Sequence, residues 1–137
     1  MKINIKRIDD DFGMEAVNED GNTLLMDGAT DIGGHVKGMR PMQLLLAAVG
    51  GCSAIDVILI LKKQKQIIES FEVEVDGKRE KIEDYNLFRD ICLHFKIKGK
   101  VDLDKAERAV KLSIEKYCSV SKTLEPTAKI TYKVSIN

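Results

Sequence analysis

One stretch constrains this chain more than any other: Arg40 to Lys63, RPMQLLLAAVGGCSAIDVILILKK. Between Leu44 and Leu61 the ionisable side chains are Cys52 and Asp56 alone, so nearly every face is apolar. A helix that is hydrophobic all round has to be covered on every side. Pro41 suits the first turn, where its missing N–H costs nothing, and Lys62 and Lys63 suit the electronegative end. Gly50 and Gly51 each cost roughly 1 kcal/mol against alanine in a helix interior, a cost that predicts close approach of another backbone. Cys52 follows them, on a stripe with Leu45, Ala48, Ile55 and Leu59. As a membrane span the helix is marginal against the ~20 apolar residues required, and Asp56 would sit unpartnered in hydrocarbon. The expectation is therefore a core or dimer helix with a thiol halfway along it, and no membrane.

At 137 residues the chain is expected to form a single domain over 1–137. A hydrophobic content of 44% supports a core. Lys and Arg total 22 against 22 Asp and Glu, so net charge provides no drive toward nucleic acid or membrane surfaces. With no Trp there are few stacking platforms for bases. The start, MKINIKRIDDD, alternates where a signal peptide would need an apolar run. Three cysteines without such a signal point to a reducing cytoplasm, where they are catalytic, metal-binding or buried more often than disulfide-bonded.

Alternation predicts strands over Lys2–Ile8 and Phe12–Glu19, the latter turning through Glu19-Asp20-Gly21-Asn22 into a third at Thr23–Met26. Gly28 to Gly38, with glycines at 28, 33, 34 and 38, reads as a loop, either a connector or the rim of a pocket. After the helix, Phe71–Val75 reads as a strand closed by an Asp76-Gly77 turn, with a charged, solvated segment to Asp84. Ile91, Leu93, Phe95 and Ile97 should face the core, and Cys92, His94, Lys96 and Lys98 the other side. Asp102 is a candidate N-cap for a helix running to about Cys118, with a stripe of Ala106, Ala109, Val110, Ser113, Ile114 and Tyr117. Pro126 separates it from a last strand, Ala128–Ile136. The order βββ-α-ββ-α-β predicts an α+β fold, antiparallel strands with helices on one face and a long central helix.

Cys118 ends the second predicted helix, in EKYCSVSKTL. Two helix-associated cysteines far apart in sequence suit thiol redox chemistry: one thiolate attacks an O–O bond to become a sulfenic acid, and the second condenses with it. Position activates neither thiol, since apolar surroundings and a helix C-terminus both disfavour a thiolate, so a cation or donor must be supplied. Among other candidates, Cys92 and His94 share a strand face without a second ligand pair. His35 reads as a solvated loop histidine, and Asp56 should cap or pair with a lysine.

PMQLLLAAVGGCSAIDVI together with EKYCSVSKTL resembles the OsmC/Ohr family, the osmotically inducible and organic-hydroperoxide-resistance proteins. The similarity runs close to full length, and the gap between the cysteines fits. The resemblance implies an intertwined homodimer with two long helices at its centre. It also implies reduction of organic or small hydroperoxides, with Cys52 attacking, Cys118 resolving, a lipoyl or other dithiol as reductant, and no metal or flavin cofactor. One departure stands out. Active hydroperoxide reductases of the family carry a glutamate early in the Pro-led segment, held by an arginine near the N-terminal hairpin. Here that glutamate falls at Met42 or Gln43, and Phe12-Gly13-Met14 offers no arginine. The chain is thus similar to the OsmC-like branch rather than to a true Ohr. The alternative to an enzyme is a non-catalytic protein holding a small hydrophobic ligand in a crevice beside Cys52.

Arg40 is the arginine nearest Cys52 in sequence, but the helix rises about 18 Å between them. If the long helices of a dimer pack antiparallel about a two-fold near Ala47, residue 42 of one chain lies opposite residue 52 of the other. Arg40 is then only about 3 Å further along the axis, and the small residues Ala47, Ala48, Gly50 and Gly51 permit close approach. The expectation is that Arg40 stabilises the thiolate of the other subunit's Cys52, with Gln43 as a hydrogen-bonding aid. Otherwise Arg40 simply precedes the helix and points into water.

Overall fold

The apolar stretch is helical from Pro41 to Lys63 (α1). Its first turn is closed locally: the Arg40 backbone N–H donates to Gln43 Oε1 at 2.9 Å, the returning half of a capping box. The computed structural model describes residues 1–137, in two units, Met1–Leu45 and Leu46–Asn137.

The first unit holds an antiparallel meander of β1 (Ile3–Arg7), β2 (Met14–Asn18) and β3 (Thr23–Met26), with Ala16 opposite Ile5 on one side and Leu24 on the other. Its β2–β3 turn lies at the expected Asp-Gly, where Asn18 Oδ1 accepts the N–H groups of Asp20 and Asn22. The glycine-rich loop is organised by a residue the sequence did not single out. Asp27 is buried and its carboxylate accepts the backbone N–H groups of Gly28, His35 and Lys37 at 2.8, 3.0 and 3.1 Å. Those bonds, that from Lys37 foremost, hold its carboxyl below the usual range. At the loop surface His35 Nε2 meets Asp11 at 2.6 Å and Lys37 meets Asp9 at 2.9 Å.

The second unit is built on β4 (Ile67–Lys81), β5 (Asn86–Lys100) and β6 (Lys129–Ile136). Ile91, Leu93, Phe95 and Ile97 are buried as their alternation requires, and Phe71 meets Phe95 edge to face with centroids 6.2 Å apart. Two expectations need correction. Asp76-Gly77 is no turn: Gly77 lies within β4 opposite Ile91. A Cβ there would stand 2.6 Å from Phe88 Cε1 and 2.7 Å from Leu46 Cδ2, so this glycine serves packing. The chain turns instead near Ile82, whose N–H donates to Tyr85 O. Nor are all strands antiparallel, since β6 runs parallel to β5. Parallel neighbours need a crossover of a dozen or more residues, which here is the helical segment between them.

That crossover begins with α2 (Leu103–Leu112), capped by Asp102, whose carboxylate accepts the Lys105 N–H at 3.0 Å. It widens into a π-helical turn, Ser113–Tyr117, closed by the Cys118 N–H on Ser113 O at 2.7 Å. A short helix follows, α3 (Ser119–Leu124). Ala106, Ala109, Val110, Ser113 and Ile114 are buried as expected, whereas Tyr117 is exposed, because the wider turn rotates it off the stripe.

By length and composition α1 could cross a membrane, but Val49, Ser53, Val57 and Leu61 on it are fully buried within the chain. Gly50 is buried as well: a Cβ there would stand 2.8 Å from Val75 Cγ2. The close neighbour is thus a side chain at Gly50 alone, since nothing lies within 4 Å of a Cβ at Gly51.

Candidate thiol site

Cys52 and Asp56 are one turn apart on α1 and share a face. The π-helical turn and the start of α3 bring Cys118 to the same place. The two sulfur atoms and a carboxylate oxygen of Asp56 all lie within 4.8 Å of one another. Cys118 is fully buried, whereas Cys52 and Asp56 are partly exposed. All three cysteines are free thiols.

Asp56 and Cys118 are each held from behind. The Ser113 hydroxyl, buried on the inner face of the π turn, donates to Asp56 Oδ2 at 2.9 Å. Asp56 therefore finds a serine and not the lysine expected for it. Cys118 is not simply the end of a helix. It is the N-cap of α3, and its sulfur accepts the Ser121 N–H at 3.3 Å. Ser121 is fixed in turn by its hydroxyl on Ile114 O, at 3.2 Å. Burial pushes the Cys118 thiol up from 9.0 to about 11, the neighbouring Cys52 adds to the rise, and the Ser121 N–H opposes it. A cavity of about 470 Å³ opens beside Asp56, walled by Leu59, Ile60, Lys63 and Tyr117.

The other residues singled out in the sequence lie elsewhere. Arg40 is exposed, its backbone engaged by Gln43, and its guanidinium makes no hydrogen bond or ion pair within the chain. Cys92 faces outward on β5 between Asp76 and Thr131, and His94 Nε2 meets Ser135 Oγ at 2.6 Å. Ser113 went unrecognised because a serine on an apolar stripe looks like a filler. Its one signal was its polar side chain at an otherwise buried position.

Two thiols within one rearrangement of bonding distance, one wholly buried and one reachable, form a dithiol/disulfide couple in outline. The family description OsmC-like protein matches residues 33–133. Protein YhfA of Escherichia coli (strain K12) is 43% identical over 117 residues, 85% of this chain and 84% of its own. A hypothetical protein from Aquifex aeolicus VF5 superposes with a TM-score of 0.81 at 30% identity, covering 99% of this chain and 96% of that one. At 19% identity, a likeness of fold alone extends to an organic hydroperoxide resistance protein OsmC from Legionella pneumophila, with a TM-score of 0.74 and coverage of 98% and 97%. The matched span includes both cysteines, the π turn and most of the fold, and by it this chain belongs to the OsmC-like family.

Proposed function

We propose that the protein reduces organic or small hydroperoxides through Cys52 and Cys118. The observation that carries this reading is the approach of the two sulfur atoms within 4.8 Å. The Cys52 thiolate attacks one peroxide oxygen; the O–O bond breaks, the alkoxide leaves as an alcohol on taking a proton, and Cys52 becomes a sulfenic acid. Cys118 condenses with it, forming the S–S bond and releasing water. A dithiol reductant then returns two electrons and two protons. Exposure divides the labour, since a reachable Cys52 meets peroxide and a buried Cys118 meets only Cys52. The name of the Legionella pneumophila neighbour, an organic hydroperoxide resistance protein, agrees with this reading.

With it goes a homodimer. Ile55 and Leu59 of α1 are 70% and 51% exposed within the chain, and an apolar helix face of that kind needs a second copy to cover it. Arg40 of the partner subunit is assigned to the Cys52 thiolate, with Gln43 assisting through its amide nitrogen, which is free in the chain. The proposed compartment is the cytoplasm, which keeps thiols reduced between turnovers.

The test is consumption of cumene hydroperoxide by reduced protein, with loss of two titratable thiols per chain. A second reading, a non-catalytic protein holding a small hydrophobic ligand, is favoured by the cavity beside Asp56, where Leu59 and Ile60 supply apolar wall. Survival of both thiols in excess peroxide would sink the first reading and leave the second.

A further inference from the structure

We infer that Cys52, Asp56 and Cys118 form a binding site for a zinc ion, with the fourth position open to water. Two thiol sulfurs and one carboxylate oxygen lie within 4.8 Å of one another. Tetrahedral zinc, with bonds of ~2.3 Å to sulfur and ~2.0–2.2 Å to oxygen, spaces such donors about 3.5–3.8 Å apart. Closing the set from within 4.8 Å requires a contraction of at most about 1 Å, on the scale of a side-chain rotation. Three protein ligands and one vacancy is the donor count of a reactive zinc site.

The outer hydrogen bonds match as well. Zinc-binding carboxylates are themselves hydrogen-bonded, which fixes their direction. Here Ser113 donates to Asp56 Oδ2 at 2.9 Å and leaves the other oxygen for a metal. The Ser121 N–H on the Cys118 sulfur, at 3.3 Å, steadies a thiolate in the same way. A cation beside a thiol favours its ionised form, and a coordinating thiol is deprotonated outright. Each zinc ion bound therefore displaces both thiol protons to solvent, with no change of oxidation state. The cavity against Asp56 gives the ion a way in. Two thiolates select a soft ion such as zinc over magnesium or calcium.

Zinc and the Cys52–Cys118 disulfide use the same two sulfur atoms and exclude each other. The zinc site itself needs only reduced thiols and stands or falls apart from the peroxidase reading.

The experiment is an anaerobic titration of the reduced Cys92→Ser protein with Co2+ as the spectroscopic probe, followed by Zn2+. Expected are a thiolate-to-cobalt charge-transfer band and the intense visible bands of tetrahedral cobalt, saturating at one ion per chain and bleached by zinc. Zinc should also protect Cys52, the reachable thiol, from iodoacetamide. Asp56→Asn, nearly isosteric, should weaken binding at least tenfold, and Ser113→Ala roughly 10–100-fold. Absence of the charge-transfer band in the parent overturns the proposal, as does undiminished alkylation with zinc present. Binding unchanged in Asp56→Asn also overturns it. The peroxidase reading fails separately, by an absence of peroxide consumption in metal-free protein.

Discussion

Raising the pH should destabilise the reduced protein through Cys118. Its thiol is pushed up from 9.0 to about 11, chiefly by burial. In the unfolded chain the same thiol ionises near its ordinary value. Between pH 9 and 11 the native state thus holds a proton that the unfolded state has lost. Stability falls with pH wherever the native state binds more protons. The contribution is complete below pH 9 and is lost as pH climbs through 11. A difference of that size corresponds to about 2–3 kcal/mol. Lysines and tyrosines also titrate in this range, so the quantity to measure is the difference from Cys118→Ser, which retains an oxygen to accept the Ser121 N–H and suits an N-cap. Urea denaturation of both proteins under reductant, from pH 8 to 11, should show the parent losing about 2–3 kcal/mol more than the variant. Parallel pH profiles would refute the account of Cys118 as a buried, protonated thiol.

Three other perturbations separate the structural from the functional claims. Gly50→Ala should lower stability by roughly 1 kcal/mol or more despite its better helix propensity, since its Cβ would stand 2.8 Å from the stiff Val75 side chain; Gly51→Ala, with nothing within 4 Å, should not lower it, and equal urea midpoints for the two would contradict this packing. Arg40→Met should move alkylation of Cys52 by iodoacetamide to higher pH in protein that remains dimeric by light scattering, and an unmoved profile removes Arg40 from the site. In Cys118→Ser, one equivalent of hydroperoxide should leave a sulfenic acid on Cys52 that dimedone traps, whereas the parent should give an intramolecular disulfide; equal trapping in both would exclude Cys118 as the resolving thiol.

What the sequence made legible was local. The extent of α1, the β3 hairpin, the Asp102 cap and the inward set Ile91, Leu93, Phe95 and Ile97 all follow from periodicity or from a capping side chain within a turn of its target. The misreadings share an opposite cause. Asp76-Gly77 carries a turn signal, but Gly77 is paired with Ile91 within β4, and Phe88 and Leu46, from other parts of the chain, occupy the space beside it. The direction of β6 was implicit in the helical crossover that precedes it, yet composition describes elements and not their directions. A π turn leaves no residue signature, because one carbonyl accepting from five residues on is a backbone event. Without that turn, neither the Ser113–Asp56 bond nor the seat of Cys118 could be foreseen. Both cysteines were visible as candidates, but spacing and periodicity gave no sign of their approach, which only the family resemblance implied.

The position of Cys52 around α1 explains why its two neighbours differ so much in exposure. The fully buried residues Val49, Ser53, Val57 and Leu61 fall on one arc of the helix, and exposed Gly51, Ile55 and Leu59 on the other. At about 100° per residue, Cys52 and Asp56 fall on the seam between those arcs, and both are partly exposed. A thiol one step further round would be sealed like Cys118; one step the other way, it would turn away from Cys118. The same seam explains why Asp56 is tolerated in so apolar a helix. Its carboxylate has a buried hydroxyl on one side, from Ser113, and an open cavity on the other. A carboxylate in either arc proper would lack one of these, and a buried charge without a partner is costly. The reactive group and the polar residue beside it thus occupy the one line along α1 where the fold leaves room for both.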